Sequence, residues 1–561
     1  MGDPEICHSP LHTPLNMSSV VKSTPVGDIP KIVESLRSSF LSGKTRTLEY
    51  RKNQLKQFAF LIADHEADFT KAILQDLGRP PMETGFGEII SVKNEIIDAI
   101  NNLSRWAKPE SVSAGPAYWF HKKQVLKDPQ GTVLVIGAWN YPMAVQLGPI
   151  VGAIAAGNTV VLKPSELAPH TAQLIADLWP KYLDPELTQV INGGIEETTA
   201  LLDQRFEHIF YTGNGTVGRL IAEKAAKWLC PTTLELGGKS PVIIDSTADL
   251  SIAAQRVLWA KSFNTGQTCI APDYVLIDRS VQDRFVVELI EAAKQRWPSM
   301  DKNVKDLGRI VNDRHWKRVY ALMEKTKGTV VYGGTKDADE ATKFLPMTII
   351  KDVDGSDSTM SEEIFGPILP LIPFDHIREA VDFVNANDQP LALYMFTKSN
   401  TTKDYILRYT RSGAAMRGDM LLHFVINDLP FGGTGPAGYG SYHGKKGFDC
   451  FTHERAYVDA PASGIVGNLV EKVMAMRYPP YTPAKLSFFQ LVLSKWMLFG
   501  RPKNPTKSTT SIDAPIKKSV CRLLNARKDL TLQTLGLMAP TLKRIGLLFL
   551  ILAVLLSKVS K

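Results

Sequence analysis

One cysteine stands in a setting suited to a nucleophile. The segment Phe263-Asn-Thr-Gly-Gln-Thr-Cys-Ile-Ala places Cys269 in a polar, glycine-containing turn directly after an apolar-periodic stretch at 252–263. A thiolate that attacks carbon needs an approach path, nearby donors and a base, and the segment Glu235-Leu-Gly-Gly-Lys offers a carboxylate flanked by flexible backbone. The competing reading is an inert packed thiol, the usual fate of a lone cysteine and the one that fits Cys230 beside Leu229. No histidine lies near Cys269 in sequence, which weakens a Cys/His hydrolase without excluding one that assembles in space. A second signal is the GxGxxG spacing from Gly213 to Gly218, between an expected strand and an expected helix. Glycines there let backbone approach a phosphate at a helix N-terminus. On the general dinucleotide template Glu235, about twenty residues on, could equally be the acid that binds a ribose.

These residues need a scaffold, and the chain supplies a regular one. From 29 to about 106 the pattern is helical. Strands are expected at 132–137, 159–162, 189–192 and 208–211, with helices at 143–156, 170–179 and 219–228 between and after them. Continuous apolar strands alternating with helices predict an α/β fold with a parallel sheet covered on both faces. A second α/β stretch runs from 237 to 428, and two such units in series imply a ligand cleft. The expected organisation is a disordered arm at 1–28, a dinucleotide domain from 29–108 and 131–236, bridging segments at 109–130 and 429–461, and a second domain at 237–428. A basic linker at 462–529 and an apolar end at 530–561 complete it.

Composition removes several alternatives. Five scattered cysteines without CxxC spacing indicate neither a disulfide framework nor a zinc site, and no metal is expected. The N-terminus has Asp3 and Glu5, no apolar run before Ile29 and no Lys or Arg before Lys22, so it lacks the marks of a secretory signal or a transit peptide. The net charge of +8 is uneven: residues 462–561 carry 16 Lys or Arg against 3 Asp or Glu, a surplus of +13 that leaves −5 for residues 1–461. A mildly acidic body without a basic stripe is not a nucleic-acid binder. The basic tail points instead to an anionic surface, a membrane first of all.

Six motifs in order make the chain similar to the aldehyde dehydrogenases, and in detail to the class 3 branch that includes fatty aldehyde dehydrogenase. They are Gly137-Ala-Trp-Asn-Tyr-Pro, Val160-Val-Leu-Lys-Pro-Ser-Glu, Leu234-Glu-Leu-Gly-Gly-Lys-Ser-Pro, Gly266-Gln-Thr-Cys, Glu362-Glu-Ile-Phe-Gly-Pro and Pro430-Phe-Gly-Gly. The resemblance implies a Rossmann-type cofactor domain, a second α/β catalytic domain and a small β oligomerisation arm. It also implies that Cys269 attacks the aldehyde, that the amide of Asn140 holds the resulting oxyanion, and that Glu235 activates water against the thioester. That role displaces the ribose reading of Glu235. For the cofactor, it matches Lys163 and Glu166 to the adenosine ribose, Gly213 and Gly218 to the pyrophosphate turn, and Glu363 with Phe365 to the nicotinamide. An acid at Glu166 favours NAD, with NADP possible, and a homodimer is expected. Two departures stand out: Asn214 and Gly215 in the pyrophosphate turn, and Ala414-Ala-Met-Arg-Gly-Asp, which sets Arg417 near the expected substrate mouth.

The tail bears on the substrate. Residues 486–499 are apolar with one lysine, and 545–556 are twelve apolar residues between Lys543-Arg544 and Ser557-Lys558. Twelve residues span roughly 18 Å, short of the ~30 Å hydrocarbon layer, so a span needs snorkelling lysines or a thinned bilayer, and a buried core helix is the alternative. A run apolar on every face has no side to show water. The expectation is therefore a membrane anchor holding the body on the cytosolic side, at the endoplasmic reticulum or the mitochondrial outer membrane. Hydrophobic aldehydes partition into bilayers by about 0.8 kcal/mol per methylene. Long aliphatic aldehydes are the first expectation, with apocarotenoid, isoprenoid or aromatic ones as alternatives. The rival readings are an enzyme that passes its thioester to an acceptor other than water and an inactive membrane scaffold.

Overall fold

The computed structural model describes residues 21–115 and 118–493. The first twenty residues of the expected arm, most of the basic linker and the apolar run at 545–556 lie outside them. The chain divides into two units: Met1–Lys108 with Lys127–His453, and Pro109–Leu126 with Glu454–Lys561.

The first unit is built on two sheets. One has six strands in the order Gly438–Tyr439, Thr232–Leu236, His208–Gly213, Thr132–Ile136, Thr159–Lys163, Thr188–Val190. Every neighbouring pair is parallel except the first. All five residues of Thr132–Ile136 are buried, as a strand covered on both faces requires. The helix Ala144–Ala156 is buried at all thirteen positions, which explains why it reads as apolar all round rather than as a stripe. The second sheet has seven strands in the order Thr329–Tyr332, Thr348–Lys351, Ile368–Phe374, Tyr274–Asp278, Pro241–Ile244, Ala392–Phe396, Ala414–Arg417. Only its first pair is antiparallel. The parallel α/β fold expected from the alternation is what forms, with loops at the C-terminal ends of the strands free to build a site.

Two boundaries differ from the expected ones. Residues 22–28, read as part of a disordered arm, are strapped to the body: Thr24 N–H donates to the Asn192 carbonyl at 2.8 Å, and Asn192 N–H donates to Thr24 Oγ1 at 3.2 Å. Backbone pairing of this kind leaves no apolar period to read. Residues 429–453, expected in a bridging segment, belong to the first unit. They fold back so that Phe431 bridges Tyr442 and Gly438 pairs with Glu235. The turn depends on glycine, because a Cβ at Gly438, whose φ is +108°, would overlap the Leu234 carbonyl.

The second unit holds the small β arm. The three-stranded sheet of this arm, most of whose residues fall in this unit, runs Glu110–Ser111, Lys122–Pro129, Thr452–Asp459, the first pair antiparallel. The helices Gly464–Met474 and Pro483–Leu493 follow. Among the described residues no helix is long and apolar enough to cross a membrane.

Candidate active site

The helix Leu250–Ser262 stops just before the cysteine turn. Asn264, Thr265 and Gly266 then take φ of 52°, 56° and 74° in succession. Two non-glycine residues in the left-handed region are strained, and such strain persists only where surrounding contacts hold it. Here they do. Glu83 Oε2 accepts from Asn264 N–H at 2.9 Å, and the Gln267 amide nitrogen donates to the carbonyls of Asn264 at 3.1 Å and Arg309 at 2.9 Å. Gln267 Oε1 accepts from Val311 N–H at 3.0 Å, and Thr268 Oγ1 meets the Tyr141 hydroxyl at 2.7 Å. Cys269 is delivered, half-buried, to the wall of a cavity of about 630 Å3, open solvent at its mouth included.

That cavity is mostly apolar. Phe86, Phe263, Ile270, Leu421, Phe424 and Phe431 form much of its lining, and Glu235 shares it with Cys269. Glu235 is the last residue but one of the strand Thr232–Leu236, at 3 % exposure, and neither carboxylate oxygen has a hydrogen-bond partner among the described residues. Burial therefore pushes its pKa well above the usual carboxylate range. Burial also pushes up the Cys269 thiol, with the nearby Glu363 and Glu235 adding to the effect. Asn140 is buried, and its amide nitrogen donates to the Gln267 carbonyl at 3.2 Å, two residues before the cysteine. One of the two N–H groups is used in that bond, so the other can serve a ligand.

Of the residues expected to hold a cofactor, Lys163 and Gly213 end strands, Glu166 follows Lys163 in the next loop, Gly218 lies in the helix Gly215–Ala226, and Glu363 and Phe365 lie in the loop before the strand Ile368–Phe374. Lys163 ends the strand Thr159–Lys163, with its ammonium on Glu166 Oε2 and on the Pro164 carbonyl, both at 2.8 Å. Gly213 ends His208–Gly213, and Asn214 Oδ1 caps the helix Gly215–Ala226 by accepting from Val217 N–H at 3.0 Å. Asparagine at this departure is thus a capping residue. A Cβ at Gly218 would come within 2.9 Å of Leu236 Cδ2, so glycine lets the helix seat against the neighbouring strand. Glu363 accepts from Gly238 N–H, and a Cβ at Gly237 would overlap its carboxylate. Burial, with Asp273 adding, pushes Glu363 up to about 8. Phe365, at φ 48°, stands edge-on to Trp139 with centroids 5.5 Å apart.

Several contributors were not legible beforehand. Lys239 closes the Glu235 motif, and its ammonium binds Asp273 Oδ2 at 2.5 Å and the carbonyls of Thr359 at 2.8 Å and Glu362 at 2.9 Å. Asp273 Oδ1 in turn accepts from Ile364 N–H at 3.0 Å, so this pair fixes the loop that carries Glu363. Only the motif itself hinted at Lys239. Phe431 and Tyr442 reach the cavity from the segment assigned to the bridge. Arg417 corrects the opposite way. Its guanidinium turns to the Thr397 carbonyl at 3.0 Å and Asn400 Oδ1 at 2.8 Å and is not part of the cavity lining. Cys230 and Cys450 are free thiols that burial pushes up to about 12, in keeping with packing.

Residues 9–457 match the model of the aldehyde dehydrogenase family. The chain belongs to the aldehyde dehydrogenase family. It is 44% identical over 474 residues to aldehyde dehydrogenase family 3 member A2 of Rattus norvegicus, covering 84% of this chain and 95% of the relative. It is 44% identical over 452 residues to the dimeric NADP-preferring aldehyde dehydrogenase of Canis lupus familiaris, covering 81% and 98%. The substrate-bound Staphylococcus aureus AldH structure aligns with a TM-score of 0.78 at 35% identity, over 82% of this chain and 99% of that one. This aldehyde dehydrogenase oxidises aldehydes with NAD or NADP. Its residues fit such a cofactor: a capped helix N-terminus after Gly213, a carboxylate at Glu166 and another at Glu363 stand around strand ends that lead to the cavity.

Proposed function

We propose that this enzyme converts long-chain hydrophobic aldehydes to carboxylic acids through a thioester on Cys269. The observation that carries the reading is the cavity itself, where one sulfur and one unpartnered carboxylate share a mostly apolar lining. Lys163 and Glu166 would hold the adenosine ribose, Gly213 and Gly218 the pyrophosphate, and Glu363 with Phe365 the nicotinamide. The Glu166 carboxylate favours a free ribose hydroxyl and hence NAD, with NADP as the second choice. Bound there, the cofactor supplies the hydride acceptor.

The chain's own groups do the rest. The Cys269 thiol gives its proton to water at the cavity mouth, and the thiolate sulfur adds to the aldehyde carbon, turning the carbonyl oxygen into an oxyanion. Donors aimed at that oxygen lower the barrier because the charge develops only in the transition state; the free N–H of the Asn140 amide and the backbone N–H of Cys269 are the assigned pair. After oxidation the carbon is a thioester. Glu235 takes a proton from water as the water oxygen bonds to the acyl carbon, and the carbon–sulfur bond breaks to release acid and thiolate. A carboxylate without partners is the stronger base for this step, because no hydrogen bond must be broken to use it.

Two further parts of the reading rest on sequence. The apolar run at 545–556, flanked by Lys543-Arg544 and Lys558, would tether the body on the cytosolic face of the endoplasmic reticulum or the mitochondrial outer membrane. The β arm would serve a homodimer, an assembly consistent with the word dimeric in the canine relative's name. The test is catalytic efficiency across aldehydes from C4 to C18, with retinal-like and aromatic aldehydes alongside. Efficiency should rise with chain length and flatten once the cavity is filled. A peak at short or aromatic substrates would overturn the long-chain reading, and unchanged membrane pelleting after removal of residues 530–561 would overturn the tether.

A further inference from the structure

A buried ion pair that the reaction scheme does not use lies where the two reactive loops meet. Arg79 and Glu88 are both at 0 % exposure, with Arg79 Nη1 at 2.6 Å from Glu88 Oε1. The guanidinium has two more bonds. Nε donates to Asn264 Oδ1 at 3.0 Å, and Nη2 donates to the backbone carbonyl of Asn140. Its face lies 4.6 Å from the Tyr141 ring centroid. The other oxygen of Glu88 accepts from Met143 N–H at 2.9 Å and Ala144 N–H at 2.7 Å, which closes the N-terminus of the helix after the Asn140 loop. Glu88 itself sits in a π-helical turn, Gly85–Ile89, a rare geometry that is frequent at functional sites.

Stability alone is a poor reason for such a pair, since burying an arginine and a glutamate costs more than one contact returns and apolar residues would serve as well. The partners suggest the purpose. Apart from Glu88, the groups to which the guanidinium donates and the ring it stacks on belong to the Asn140 loop or the Cys269 turn. The Asn264 amide nitrogen, held from its oxygen side by Arg79, donates to the Asn140 carbonyl and to the Gln267 carbonyl, both at 2.9 Å. The Asn140 amide uses that same Gln267 carbonyl. A planar guanidinium with forked donors can fix three directions at once, which a point charge cannot. We propose that Arg79, braced by Glu88, is a positioning residue that sets the Asn140 amide against the Cys269 turn. The proposal rests on the reading of Asn140 as the oxyanion donor.

The experiment is a double-mutant cycle of Arg79→Ala and Asn140→Ala in the full chain. It reads the pre-steady-state burst of NADH with a short soluble aldehyde, KM, and melting temperature. Losing the donor should slow the burst by about 10²–10³. Arg79→Ala should slow it by about tenfold or more with KM nearly unchanged, and the double variant should be no slower than Asn140→Ala alone, because residues that act through one another are non-additive. Added guanidinium ion should restore part of the burst to Arg79→Ala, which a general loss of packing would not allow. If Arg79→Ala does not fold, Glu88→Gln takes its place in the cycle and should show a smaller, equally non-additive loss. Additive losses, or a wild-type burst in a folded position-79 or position-88 variant, overturn the positioning role and leave the donor reading intact. A wild-type burst in Asn140→Ala overturns the donor reading and the proposal with it.

Discussion

The turn that carries Glu88 and the strand end that carries Glu235 treat a buried carboxylate in opposite ways. Glu88 accepts from a guanidinium and two backbone N–H groups, whereas neither oxygen of Glu235 accepts from any described residue. Both lie in the same unit, Glu88 in a π-helical turn and Glu235 near the end of a strand, and both are shielded from bulk water. Burial pushes both carboxyls above the usual range, but at Glu88 the Arg79 guanidinium and the backbone N–H groups of Met143 and Ala144 oppose that and fix the group in place, while Glu235 has nothing to oppose it and is free to exchange its proton. The molecule thus separates holding from reacting by the number of hydrogen bonds each acid receives.

Substitution at the reactive acid is the sharpest way to break this comparison. Glu235→Gln should cut turnover by about 10²–10⁴-fold, the usual worth of a general base, while the first-turnover burst of NADH persists. Equal loss of burst and turnover would remove Glu235 from the hydrolysis step. At the holding acid the dominant effect should be on folding. Glu88→Ala leaves a buried guanidinium uncompensated and should lower stability by about 3–5 kcal/mol in denaturant melts.

A smaller effect, opposite in sign, is expected from Glu235→Gln in the same melts. The folded-state pKa of Glu235 is raised above the unfolded ~4.3, so the native state binds more protons and stability falls as pH climbs from that value toward the folded pKa. Replacing the acid with a neutral amide should therefore stabilise the protein by about 1–3 kcal/mol near neutrality and flatten that decline. A loss of stability, or an unchanged pH slope, would mean that Glu235 is partnered in solution. Activity should run the opposite way. Because burial raises both Cys269 and Glu235, kcat/KM should increase through the alkaline range, and a flat profile from pH 6 to 9 would contradict the raised values.

The holding and reacting acids also differ in how far sequence reveals them. Cys269 and Glu235 sit in contiguous motifs whose glycines and polar neighbours announce a turn, and the strand between them, Pro241–Ile244, is a continuous apolar run that can only be buried. Arg79 and Glu88 carry no such local mark. Arg79 meets Asn264 across 185 residues and Asn140 across 61, and their shared role exists only once the chain has closed. Phe431 and Tyr442 were hidden for a related reason. A two-residue edge strand and a single bridge fold them back to the cavity, and neither has a period to detect. Arg417 misled because its charge was visible while its hydrogen bonds to Thr397 and Asn400 were not.

The most direct test of the account is to trap the acyl group. Glu235→Gln enzyme mixed with NAD and hexadecanal, quenched in acid and digested, should yield the peptide containing Cys269 with a hexadecanoyl thioester, lost on treatment with hydroxylamine and absent from Cys269→Ser. An acyl group on another residue, or an NADH burst with Cys269 unmodified, would contradict the chemistry assigned to this sulfur.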